Sequence, residues 1–98
     1  MQTVRGHLGS IAFDGQTVII TKRAKGSTRI PVGSIQAVTL EKAGLGMRAV
    51  RFAVGGGTLA DKARNTHKEF ASDPYALTFK SKALPEFEAL VQLVEAAR

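Results

Sequence analysis

Four cations, Lys22, Arg23, Lys25 and Arg29, fall within eight residues of one another. Carried on a single hairpin, such groups can converge on one phosphate-rich target through charge-assisted hydrogen bonds. They are the candidate anion-binding residues. The plainer reading is a solvated, charged hairpin that keeps a sheet edge from pairing with another chain. Arg48, Arg51, Lys62, Arg64 and Lys68 extend the positive surface. Counterion release alone would then give non-specific nucleic-acid binding. Against that, aromatics are only 6% of the chain, and no RNP-like or helix-turn-helix pattern is present. Phe13, Phe52, Tyr75, Phe79 and Phe87 take positions expected to face inward, as core and not as base-stacking platforms. Nucleic acid is the lesser alternative.

Catalysis finds little support. His7 and His67 are far apart in sequence, and neither belongs to a His-x-x-x-His spacing. Asp14, Glu41, Asp61, Glu69, Asp73, Glu86, Glu88 and Glu95 mostly fall at turns or helix starts, where they have structural explanations. Ser10, Ser27, Ser34, Ser72 and Ser81 lack the strand–turn–helix context of a nucleophile elbow. With no cysteine, neither a disulfide framework nor a thiolate metal site is possible. Gly55-Gly56-Gly57-Thr58 offers backbone N–H groups to a phosphate, yet the Lys-Ser/Thr ending of a P-loop is missing. The residues predict no enzyme, no cofactor and no bound metal.

Protein contact has its own candidates. Leu93 lies beside the inward stripe of the C-terminal helix, and Arg51 points away from the apolar face of its strand. The long segment Thr58–Asp73 and the outer sheet edge could also receive a peptide, by strand addition or against the helix.

These groups must be carried by short strands. Ile11 and Phe13 share one face, Asp14-Gly15 follows, and Val18 and Ile20 supply a matching face. Two such runs joined by Asp-Gly predict a hairpin with a type I′ turn. After the basic loop, Thr28-Arg29-Ile30 re-enters as a strand and stops at Pro31. Ile35 to Lys42 is a strand whose alternation slips, which predicts a bulge between Ala37 and Val38. Met47 to Val54 sets Val50, Phe52 and Val54 on one side. The region Thr58–Asp73 reads as loop with at most a turn or two of helix. Tyr75, Leu77 and Phe79 alternate with small or polar neighbours, the mark of a half-buried strand. Pro85 suits a first helical position, Glu86 and Glu88 complement the helix dipole, and Phe87, Leu90, Val91 and Val94 form one stripe. The capping helix is expected at about 85–97.

The 98 residues are 44% apolar and 22% charged, with a formal charge of +6. That balance is globular, and the length suits a single domain over 1–98. Apolar runs such as Val18-Ile19-Ile20 fall far short of the ~18 residues of a membrane span. The start of the chain lacks the apolar segment of a secretory leader, and Gln2 stands where myristoylation needs Gly. A cytoplasmic address is expected. A small antiparallel sheet must hide its apolar face and manage its edges. The expected fold is mainly β: a partly closed antiparallel barrel of about seven strands, capped by one amphipathic helix.

The order of motifs also resembles a family. Gly9-Ser10-Ile11-Ala12-Phe13-Asp14-Gly15, Val18-Ile19-Ile20, and Ile30-Pro31-Val32 followed by Ile35 and Val38 resemble bacterial PH-like and GRAM-type domains. The likeness is strongest to an actinobacterial and phage-borne PH-like family of unknown function with a Phe-Asp-Gly hairpin. Arg51-Phe52, Asp73-Pro74 and Phe87-Glu88-Ala89-Leu90 extend it, so that it covers residues 6 to 97. The resemblance implies a PH-like domain. In many PH domains a basic loop between strands holds inositol phosphate head groups. Together these readings predict a non-enzymatic interaction module that binds protein partners, self-association included. Anionic lipid head groups come second and nucleic acid last.

Overall fold

The computed structural model describes residues 2–23, 26–44, 46–54 and 74–98. Seven strands are described: β1 (Gln2–Gly6), β2 (Gly9–Phe13), β3 (Thr17–Lys22), β4 (Gly26–Pro31), β5 (Ile35–Gly44), β6 (Met47–Val54) and β7 (Ala76–Lys80). One helix follows, α1 (Leu84–Ala97), beginning one residue before the expected start. The strands form two antiparallel sheets, β1-β2-β3-β4 and β5-β6-β7. Strand number, fold class and terminal helix are as expected, but the sheets are not closed into a barrel. The Thr58–Asp73 reading lies outside the described residues. Among the described residues, no helix is long and apolar enough to cross a membrane.

Period-two alternation builds the inner face of the first sheet. Val4, Ile11 and Ile20 align across β1, β2 and β3, and Phe13, Val18 and Ile30 align across β2, β3 and β4. All six are buried. The β2–β3 turn differs from a type I′ turn centred on Asp14-Gly15. Asp14 stands at its edge, its Oδ1 accepting from the N–H of Gln16 at 2.8 Å and of Thr17 at 2.7 Å. The positive φ falls on Gly15 alone, at 99°. The Asp side chain therefore holds the turn from outside, and Gly takes the left-handed position.

The second sheet supplies Ile35, Val50, Phe52, Leu77 and Phe79 to the same core. Its register slips between Ile35 and Ala37, just ahead of the predicted place. Gln36 is the extra residue. The slip lets Ile35, opposite Val54, share a face with Val38 and Leu40, opposite Phe52 and Val50. The broken alternation is thus what keeps Ile35, Val38 and Leu40 together on the core. Helix α1 seals the core with Phe87, Leu90 and Val94, and the Phe87 ring stacks on Phe79 with centroids 3.9 Å apart. At the helix end, the Arg98 guanidinium donates to the carbonyls of Ile35 and Gln36.

Strand β7 is not half-buried. Ala76, Leu77, Thr78 and Phe79 are all buried, while Tyr75 precedes the strand in a turn and is exposed, against the inward position expected for it. The far face of the second sheet holds a second apolar cluster, Ala43, Ala49 and Ala76.

The sheets meet where β1 turns into β2. A Cβ on Gly6 would stand 2.7 Å from both Leu77 Cδ2 and the Thr78 carbonyl oxygen. On Gly9 it would stand 2.5 Å from the Thr21 carbonyl oxygen and 2.9 Å from Leu77 Cδ1. Only glycine permits this approach, and the His7 N–H donates to the Thr78 carbonyl at 2.8 Å across it. Gly6→Ala and Gly9→Ala are each expected to destabilise the fold by about 1–3 kcal/mol through overpacking, read by urea unfolding. Gly33→Ala, at a position with open space around it, is expected to stay within about 0.5 kcal/mol of wild type.

Hydrogen bonds from Gln16 and then Thr17, with a smaller contribution from Arg29, hold the Asp14 carboxyl below its ordinary pKa of 3.8. The fold thus favours the charged form. Its contribution is present above pH 3.8 and is lost as pH falls through the lower folded value. Carboxyl NMR titration is expected to give an Asp14 midpoint below 3.8, and Asp14→Ala should remove this part of the acid sensitivity.

Candidate functional site

The turn Gly6-His7-Leu8-Gly9 is held from two sides. The His7 N–H bonds to β7, and the Leu8 carbonyl accepts from the Arg23 N–H at 2.9 Å. Antiparallel pairing places this turn at the same end of the first sheet as the β3–β4 connection, since Gly9 lies opposite Lys22. The bond to Thr78 brings the end of β7 there too. Between these pieces lies a cleft of about 260 Å³, lined by Arg5, Gly6, His7, Leu8, Lys80, Lys82 and Ala83.

Its electrostatics are one-sided. Arg5, Lys80 and Lys82 bring cationic side chains, His7 adds an imidazole, and no carboxylate is among the described residues that line it. A cleft lined by an arginine and two lysines suits a ligand with several phosphate or carboxylate oxygens: a guanidinium fork can bind bidentately, and ammoniums act as point charges. Among the described residues, no group of three or more His, Cys, Asp or Glu side chains gathers as a metal site would require.

The expected four-cation cluster is divided. Lys22 and Arg23 adjoin the basic turn through the backbone contacts described above. Arg29 sits farther along β4, opposite Ile19, and lines a separate cleft of about 340 Å³ with Pro31, Gln36 and Tyr75. Lys25 lies outside the described residues, as do Lys62, Arg64, His67, Lys68 and the Gly55–Gly57 run. Arg5, Lys80 and Lys82 were not singled out by sequence. Arg5 precedes a Gly-x-x-Gly turn, Lys80 ends the last strand and Lys82 follows it in a 3-10 turn, but only the contact of the Gly-x-x-Gly turn with β7 unites them.

Arg51, the other expected contact residue, is nearly buried: it is 9% exposed, and its guanidinium lies 3.5 Å from Glu41 on the neighbouring strand. The Glu41 carboxylate also accepts from the Thr39 hydroxyl at 2.9 Å. Alternation places Arg51 on the face opposite Phe52, but that face is itself buried around Ala49, Ala76 and Thr78. A buried guanidinium needs a partner to offset its desolvation, and Glu41 supplies one. Leu93 is where the helical stripe puts it, beside Leu90 and Val94 and 46% exposed.

A family described as a domain of unknown function, DUF4429, matches residues 10–95. The chain belongs to this family. No curated protein and no solved structure matches it. The match includes Lys22, Arg23, Lys80, Lys82 and Leu93, while Arg5 and the turn Gly6–Gly9 precede its first residue. The cleft thus joins residues inside the matched range to residues ahead of it.

Proposed function

We propose that this chain is a non-enzymatic interaction module of PH-like type whose basic end holds a polyanionic, phosphate-bearing ligand. The observation that carries this reading is the cleft lined by Arg5, His7, Lys80 and Lys82, with no acid among the described residues that line it. The PH-like assignment is supported by the order of elements: a four-stranded sheet, a three-stranded sheet and a closing C-terminal helix. The overall charge of +6 would draw an anion toward the molecule, and the cleft would give it a place to dock. This reading puts the anionic ligand ahead of the protein partner, because Arg51 is internal and Leu93 is left as the contact candidate.

Calorimetric titration with a soluble inositol polyphosphate tests the proposal. Arg5→Glu, Lys80→Glu and Lys82→Glu are each expected to weaken binding roughly tenfold, and added salt to weaken it further. Arg29→Glu, on the separate cleft, should leave the affinity unchanged. No binding at low salt, or charge reversals without effect, would overturn the reading.

Leu93 supports a subsidiary one, contact with a protein partner or a second copy of this chain, because a large apolar side chain is left open beside the buried stripe. Sedimentation that rises with concentration in wild type and stays at monomer mass in Leu93→Asp is the expected result. Monomer mass for both excludes self-association.

A further inference from the structure

We infer that the basic end docks on an anionic lipid bilayer, with Leu8 as the side chain that enters the membrane. The inference rests on the proposed function and deepens it, since the same cleft would receive the lipid phosphates. Leu8 is the most exposed large apolar side chain among the described residues, at 54%. It is also their one non-glycine residue with positive φ, at 58°. In that left-handed region a Cβ crowds the following carbonyl, so Gly or Asn is the residue a turn ordinarily takes. Leu is costly here twice, in backbone conformation and in apolar surface left in water. The fold gains no core contact in return. Unfavourable local choices of this kind point to function.

The surroundings identify the partner. Leu8 itself lines the cleft with Arg5, His7, Lys80 and Lys82. Lys22 and Arg23 adjoin the other side of the turn. An apolar tip within a ring of cations matches the interface of an acidic membrane: cations meet head-group phosphates while the tip reaches the acyl boundary. A free inositol phosphate or a nucleic acid would use the cations and have no use for the leucine. The turn is also braced, by the bonds to Thr78 and from Arg23, so the tip is held outward and does not fold back.

The test compares phosphatidylcholine vesicles, the same vesicles containing phosphatidylserine, and a soluble inositol polyphosphate. Leu8→Asn keeps the cations and suits the left-handed backbone, so the variant should unfold in urea no earlier than wild type. Its affinity for the acidic vesicles is expected to fall about tenfold or more, a far larger loss than any change in its affinity for the soluble polyphosphate. The chain has no tryptophan, so Leu8→Trp supplies a single reporter. Its emission should shift to the blue on acidic vesicles and be quenched by lipids brominated on their acyl chains. Wild-type vesicle affinity in Leu8→Asn, or an unshifted and unquenched Leu8→Trp emission, overturns the inference. Binding of the soluble polyphosphate without binding of acidic vesicles overturns it too, yet leaves the proposed function standing. Failure to bind either overturns both.

Discussion

The close approach of Gly6 and Gly9 to Leu77 is the constraint on which the rest of the structure depends. Neither sheet can hide its apolar face alone, and among the described residues no ladder of hydrogen bonds joins the two. Their union relies on packing of the shared core, on the seal made by α1, and on this place where backbone meets side chain without an intervening Cβ. A methyl group there would wedge the turn away from β7. The cleft would then widen and Arg5 would move off from Lys80 and Lys82, so the packing constraint and the candidate site are one feature seen from inside and outside.

The same economy of space shapes the second sheet. Its central strand is covered on both faces, which explains the alanines at positions 43, 49 and 76 and the pairing of Arg51 with Glu41. Positive charge is therefore not spread evenly over the molecule. Some of it is consumed internally, and the part that converges on a shared space is drawn from three elements at one end.

What was legible in the sequence was local. Strand alternation placed Ile11, Phe13, Val18 and Ile20 inside, and helical spacing placed Phe87, Leu90 and Val94 on the seal, because each pattern reports a single element's burial. The bulge in β5 was visible as a slip, but its position depends on which β6 residue each partner faces. Arg51 and Tyr75 show the limit. Alternation tells that two residues face opposite ways, and says nothing of whether the second face is covered. The basic cleft was illegible for a related reason: Arg5 and Lys82 stand near opposite ends of the chain, and their proximity is created by tertiary contact alone. Leu8 left a trace, a large apolar residue between turn glycines, whose meaning needed its backbone angle.

Within each sheet, pairing follows the chain order of the described strands, and apart from β6 and β7 each ladder closes a short connection at little cost in loop entropy. The junction between the Gly6–Gly9 turn and β7 is different, because it closes a loop spanning most of the polypeptide. Folding kinetics then favour the meanders as early units and their docking as a late event. The basic cleft exists only at that docking seam. A partly folded chain would carry every one of its charges without their convergence, so recognition at this end belongs to the completed native state.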